Sequence, residues 1–435
     1  MYIFQLPLAP TAKLIRSGEL SLQELVGEIC DRIEKYDPFV QSLLPETNRR
    51  ERLLAEAQAL MMMYPEPENR PLLFGVPVGV KDIFRVEGFP TKAGSRLPDC
   101  EFEGEEAWVV TALKRNGALI LGKTVTTEFA FFEPGPTRNP HNPEHTPGGS
   151  SSGSAAAVAA GFTPFALGTQ TIGSVLRPAA FCGVFGFKPT LDRISTTDIV
   201  PFSPTADHVG YFAQDLEGIQ LACQALIPNW KNTASKAVSV PKAGAVSGDY
   251  LNQADEEIRH WFQKTIPKLK SAGIPVVELD CFGDISEINR LHRAIVARDF
   301  SRVHHARFEK HPQLFSKHSK DLITEGRAIP EDLYQYAISR RGDYRSRLSK
   351  VMQEMGIDVW ISPSTTSLAP RGMASTGSPL MNLPWTYLGV PALSVPAGFS
   401  QHGLPFGLQV AGRFNQDEEL LFSAQAIEEH LGQKV

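Results

Sequence analysis

The sequence predicts an α/β fold with a mixed or largely parallel sheet, on three observations. From Pro71 onward, short apolar runs (VPVGV, GALILG, FTPFALG, GVFGF) alternate with helix-like stretches such as EEAWVVTALKRN and SAAAVAAG. Such alternation marks strands joined through helices. After Asp358, strand-like segments return as VWISPS, PALSVPAG and GLQVAG. The chain has 435 residues, 42% of them hydrophobic and 21% charged, enough to bury a core without disulfides or metals. Because the late strands read as the completion of the sheet begun near Pro71, residues 1–435 are taken as a single domain.

The elements follow in order. Residues 1 to about 65 read as helices. Ser21-Leu-Gln-Glu24 is a capping box, and Leu22, Leu25, Ile29 and Ile33 behind it share one face. A second helix, roughly Glu46 to Met63, brings Leu53, Leu54, Ala57, Leu60 and Met61 together, and Met61 to Met63 read as a helix end packed on the core. The stretch from about 240 to 355 is richer in long helices, such as DEEIRHWFQKTIPKLKSAG, and reads as a helical cap or an insertion on the sheet. A closing helix from about Gln416 to Leu431 has Leu420, Leu421, Ala424, Ile427 and Leu431 as its inner face, with Gly432 at its end.

Composition excludes several function classes. With 43 basic and 48 acidic residues the formal charge is −5, and no basic stripe offers a nucleic-acid surface. The five cysteines (Cys30, Cys100, Cys182, Cys223, Cys281) are odd in number and lack CxxC spacing, which argues against a disulfide framework or zinc site and for a reducing compartment. The segment MYIFQLPLAP has no basic n-region and two prolines, unlike a signal peptide. The run SAAAVAAGFTPFALG is broken by Gly161 and Pro164 and is too short to span a bilayer. The expectation is a soluble, cytoplasmic protein with no membrane or nucleic-acid partner.

Three islands could carry chemistry. In GVPVGVKDIF, Lys81 and Asp82 follow an apolar strand; a lysine there can also simply snorkel to solvent. In TPGGSSSGSAAAVAAG, Gly148, Gly149 and Gly153 relax the backbone around Ser150, Ser151 and Ser152. Gly-Ser stretches are often linkers, but this one runs from Pro147 straight into a small-residue helix. A phosphate cradle at the helix N-terminus is an alternative, though no GK[ST] follows. In GTQTIGSVLRPAAFCGVFGFKPT, Ser174 sits beside a glycine, in a turn suited to aiming backbone N–H groups at one point, as an oxyanion hole requires. The G-x-S-x-G elbow is absent. The histidines offer no better base: His141 and His145 lie in a Pro-rich loop, and His304 and His305 in a helical run.

Taken together, the islands resemble the amidase-signature family over most of the chain. The resemblance includes Lys81-Asp82, TKAGS at Thr91 to Ser95, both serine regions, and the late GVPALSVPAG and GLPFGLQVAG. It implies a central mixed β-sheet flanked by helices on both faces and a Ser-cisSer-Lys triad. Ser174 would be the nucleophile, Ser150 the serine held by a cis peptide after Gly149, and Lys81 the base. The N–H groups near Thr171, Ile172, Gly173 and Ser174 would receive the oxyanion. No metal or cofactor is implied; a small-molecule amide is, and a homodimer is an option.

Three departures stand against the family's usual GTDTGGSIRxPA. Gln170 replaces its Asp and Ile172 a Gly, while Leu176 stands at its Arg and Arg177 follows. This resembles a GTQTxGS…RPA branch, in which Gln170 would replace an ion pair with neutral hydrogen bonds. The implied activity is hydrolysis of a linear carbon–nitrogen amide bond through an acyl-enzyme. The alternatives are the ammonia-releasing subunit of a tRNA-dependent amidotransferase, which usually keeps the Asp-Thr-Gly-Gly form, or a non-catalytic binding protein on the same fold. A lysine base has to be neutral, so Lys81 is expected to be buried without a carboxylate partner, Asp82 turning to backbone hydrogen bonds. Phe131, Phe132, Asn382, Trp385 and Tyr387 are candidate pocket positions and equally candidate core; Arg177 either binds a substrate carboxylate or braces the loop.

Overall fold

A computed structural model describes residues 2–231 and 240–431. Ten strands among them form one sheet: β1 (Pro77–Lys81), β2 (Leu119–Thr124), β3 (Phe165–Gln170), β4 (Phe185–Lys188), β5 (His208–Ala213), β6 (Ala243–Val246), β7 (Val276–Leu279), β8 (Val359–Pro363), β9 (Ala392–Phe399) and β10 (Pro405–Ala411). Their spatial order is β2-β1-β3-β5-β4-β9-β10-β8-β6-β7. Pairing is parallel at β1–β2, β1–β3, β6–β7 and β6–β8 and antiparallel elsewhere, so the sheet is mixed.

Both faces are covered. Ile120, Phe165, Leu167, Tyr211 and Ala213 join one buried cluster, while Leu119, Leu121, Ala166 and Phe212 join the other. That period-two split is what strands buried on two sides produce, and it explains their nearly continuous apolar sequence.

The N-terminal helices are Leu8–Ser17, Leu22–Val40 and Arg49–Met63. Ser21 Oγ accepts from the Glu24 N–H at 3.3 Å, one of the two bonds of a capping box, and Leu22, Leu25, Ile29 and Ile33 are buried on the one face that their spacing predicts. One expectation fails at the end of the third helix: Met62 and Met63 are 70% and 69% exposed, and only Met61 packs inward. Three successive residues on a helix spread over about 200° at 3.6 residues per turn, so they cannot share one face.

The segment from 240 to 355 is also more than a helical cap. Besides the long helices Glu256–Ser271, Ile285–Val303, Lys317–Ala328 and Glu331–Met355, it supplies β6 and β7, which extend the sheet beyond β8. β6 is four small residues, AGAV, too short and plain to stand out. The closing helix is Asp417–Leu431; Gly432 lies outside the described residues. Among the described residues, no helix is long and apolar enough to cross a membrane.

Candidate active site

Strand register brings the first groups together. β1 and β3 run parallel with Val80 opposite Leu167, so Lys81 and Thr169 leave the sheet at the same end. β5 is antiparallel to β3 with His208 opposite Gln170, which brings Asp207 and His208 to that end too. The carboxyl ends of parallel strands are where α/β sheets place their ligands.

Lys81 is fully buried. Its Nζ lies 2.7 Å from Ser150 Oγ and 2.8 Å from Thr169 Oγ1. No carboxylate pairs with it among the described residues. Burial drives its pKa well below the usual lysine value, partly opposed by the charge of Asp207. Asp82 turns the other way. It accepts from the Lys92 N–H at 3.2 Å, as expected, and pairs with the buried Lys123 ammonium at 2.8 Å, which was not.

Ser150 precedes the helix Ser152–Ala159 and follows a cis Gly149–Ser150 peptide. A Cβ on Gly153 would lie 2.2 Å from Ser42 O and 2.4 Å from Val125 N, so this helix can enter the fold only with glycine there. The Ser150 carbonyl accepts from the Thr127 N–H at 3.2 Å. Arg177 holds the preceding peptide: its guanidinium donates to Gly149 O and Gly377 O, both at 2.7 Å, and to Thr376 Oγ1 at 3.2 Å. Those donors are committed to protein acceptors, so the geometry favours the brace over a carboxylate ligand.

Ser174 lies between β3 and the helix Leu176–Cys182 and is 7% exposed. Gln170 braces this turn with neutral hydrogen bonds. Its Oε1 accepts from the N–H groups of Val175 at 2.8 Å and Leu176 at 3.0 Å, and its Nε2 donates to Thr386 Oγ1 at 2.9 Å. Thr171 Oγ1 donates to Asp207 at 2.6 Å. Burial raises the Asp207 carboxyl to about 6 against hydrogen bonds from Thr171, Phe202 and Ser203. Among the described residues, the N–H groups of Ile172, Gly173 and Ser174 donate to no protein acceptor, leaving three donors free on the turn that carries the serine hydroxyl. Gly173 has no room for a side chain, because a Cβ would meet Asn382 Oδ1 at 2.5 Å.

The suggested pocket residues separate. Asn382 is fully buried behind Gly173, its Nδ2 bonded to Ser364 O and Gln409 Oε1. Trp385 and Tyr387 are core: Trp385 Nε1 donates to Tyr250 OH at 2.8 Å, and Tyr387 OH to Ala337 O at 2.6 Å. Phe131 packs against Phe132, Phe202 and Phe300, with the Arg293 guanidinium 5.7 Å from its ring centre. Sequence reasoning missed Thr169, Asp207, His292 and Thr386. Thr169 lay within the third island and was recoverable from parallel register; the other three reach the site only through tertiary packing. The dismissed histidines stay apart from this chemistry: His145 Nδ1 pairs with Ala369 O, and His304 is buried between Phe129 and Phe300.

A family model described as Amidase matches residues 24–421. The chain belongs to the Amidase family. A solved chain described as the crystal structure of an amidase superposes on it with a TM-score of 0.87 at 29% identity, covering 98% of this chain and 100% of that one. A chain from a vestigial protein complex, described as revealing the evolutionary origins of an s-triazine catabolic enzyme, gives a TM-score of 0.87 at 28% identity, covering 98% and 99%. One subunit of the glutamyl-tRNA(Gln) amidotransferase of Lysinibacillus sphaericus is 30% identical over 95% of this chain and 94% of its own length. Membership makes the chain a hydrolase of the Amidase family and accounts for three separated islands meeting at one end of the sheet.

Proposed function

We propose that this chain hydrolyses a carbon–nitrogen amide bond of a small molecule through an acyl-enzyme on Ser174, with Lys81 as base acting through Ser150. The observation that carries the reading is Lys81 itself, a fully buried lysine whose Nζ meets two side-chain hydroxyls, one of them Ser150 Oγ at 2.7 Å. A neutral amine beside a hydroxyl can take its proton; a serine hydroxyl alone is a poor nucleophile at neutral pH. Ser150 passes its proton to Lys81 and takes one from Ser174 as Ser174 Oγ attacks the carbonyl carbon. The free N–H groups of Ile172, Gly173 and Ser174 receive the oxyanion. Collapse breaks the C–N bond, and the proton returns through Ser150 to the departing nitrogen, releasing ammonia or an amine. Water then attacks the acyl group, its proton taken by the same relay, and as the bond to Ser174 Oγ breaks the relay returns that proton to Ser174 and the acid leaves. The whole of residues 1–435 is read as one catalytic domain, working in the cytoplasm.

A second reading rests on the 30% identity to one subunit of a glutamyl-tRNA(Gln) amidotransferase. There the same relay would release ammonia for use within a larger complex, so the charge balance gives no ground for excluding a nucleic-acid partner. Gln170 and Ile172 depart from the Asp-Thr-Gly-Gly form and favour the free-standing hydrolase. Ammonia release from primary amides, anilides and biuret-type compounds, with wild type beside Ser174→Ala, tests the choice. Turnover by the isolated chain that vanishes in the mutant supports the hydrolase. Release from glutamine only when partner proteins are added supports the second reading. Turnover that survives in Ser174→Ala sinks both.

A further inference from the structure

Two of the three carbonyls that precede the free N–H groups, those of Thr171 and Ile172, are held from behind by a side chain, as is that of Gln170 one residue upstream; the third, Gly173 O, accepts from the Arg177 N–H at 3.1 Å. His208 Nδ1 lies 3.2 Å from Gln170 O, His292 Nε2 2.9 Å from Thr171 O, and Thr386 Oγ1 2.7 Å from Ile172 O. A peptide unit is planar, and in its trans form the C=O and the following N–H point in opposite directions. Gly149–Ser150 is the one cis bond among the described residues, so these units are trans. Pinning the Thr171 carbonyl therefore aims the Ile172 N–H the opposite way, and pinning the Ile172 carbonyl aims that of Gly173.

We infer that His292 and Thr386 are positioning residues that set the direction of the Ile172 and Gly173 N–H donors toward the oxyanion. The inference rests on the reading of Ser174 as the nucleophile. His292 sits in the helix Ile285–Val303, so the helix-rich segment reaches the catalytic turn through one side chain. It is suited to the task. The residue is fully buried, Nε2 faces a carbonyl and must carry the hydrogen, and Nδ1 has no partner among the described residues. Burial, aided by the charge of Arg341, pushes its pKa down to about 3, so the ring stays neutral and keeps that donor across the working pH range. Thr386 is fixed in turn by Gln170 Nε2 at 2.9 Å, which links the unusual Gln170 to the same donor shelf.

The test compares His292→Leu, His292→Gln, His292→Asn and Thr386→Val with wild type. Three quantities are read: kcat and KM on an amide the enzyme turns over, the rate of fluorophosphonate labelling at Ser174, and the melting temperature. Glutamine can place an amide N–H where histidine has Nε2, whereas asparagine ends near the Nδ1 position. His292→Leu and Thr386→Val are expected to lower kcat and labelling roughly tenfold to a hundredfold with KM within about twofold, as when an oxyanion donor is misplaced. His292→Gln should recover most of the loss and His292→Asn should not. Wild-type kcat in both His292→Leu and Thr386→Val would overturn the inference, as would His292→Gln falling as far as His292→Leu at the same melting temperature. Thr386→Val carries the test alone if the histidine variants fail to fold. Ser174→Ala, run alongside, separates the two failures: a fully active Ser174→Ala rejects the nucleophile, while an inactive one beside fully active His292→Leu and Thr386→Val rejects only the positioning role.

Discussion

Two strands of the sheet, β1 and β4, end on a lysine, and Lys81 and Lys188 are both fully buried. Burial lowers both pKa values, Lys188 to about 7 with the nearby Asp417 charge opposing it, and Lys81 well below its usual value. Their partners differ. Lys188 Nζ donates to two backbone carbonyls, Val390 O at 2.6 Å and Pro189 O at 3.2 Å. A carbonyl has no proton to give, so Lys188 can only tie strands together. Lys81 faces two hydroxyls, each able to donate as well as accept. Desolvation makes a lysine capable of being a base; the proposed mechanism also needs the proton-bearing neighbour that Lys81 has and Lys188 lacks.

Replacing each lysine by methionine is the strongest way to break this comparison. Lys81→Met is expected to lower turnover by about a hundredfold to ten-thousandfold, the usual contribution of a general base. Lys188→Met should leave kcat within about threefold while costing ~1–3 kcal/mol of stability, because the Val390 carbonyl loses its donor. Activity assays and thermal melts read the two effects; the reverse pattern would remove Lys81 from the chemistry.

The pH profile gives a smaller, signed effect. The ammonium of Lys81 cannot accept a proton, so activity is expected to fall as pH drops through the lowered pKa of Lys81. Asp207 favours that ammonium. Asp207→Asn removes the attraction, lowers the Lys81 pKa further and should move the acid limb of kcat/KM to lower pH. A shift to higher pH would contradict the assignment. The smallest effect is expected at Trp385, whose N–H, like the Lys188 ammonium, is committed to a protein acceptor. Trp385→Phe should cost ~1 kcal/mol, in the range of one net hydrogen bond plus a small loss of packing, and leave KM within about twofold. A several-fold rise in KM would return Trp385 to the pocket.

How much of this was legible in the sequence depends on range. The Ser21 capping box, the apolar strand before Lys81 and the glycine beside Ser174 are local patterns, and each reads in sequence as it stands in the fold. Gln170 was legible as a neutral brace because the residues it serves, Val175 and Leu176, are its near neighbours. His292, Thr386 and Asp207 lie 121, 214 and 36 residues from their partners on the catalytic turn. No periodicity carries such pairings. Met62 and Met63 show the opposite error: their hydrophobicity suggested burial that the helix's geometry does not provide.

Fluorophosphonate labelling, mapped by mass spectrometry and timed across pH in wild type and Lys81→Met, tests the central claim most directly. The expected result is one adduct on Ser174, forming faster as pH rises through a transition well below 10.5, and slowed by about a hundredfold or more in Lys81→Met. An adduct on another residue, or an unchanged rate in Lys81→Met, would contradict it.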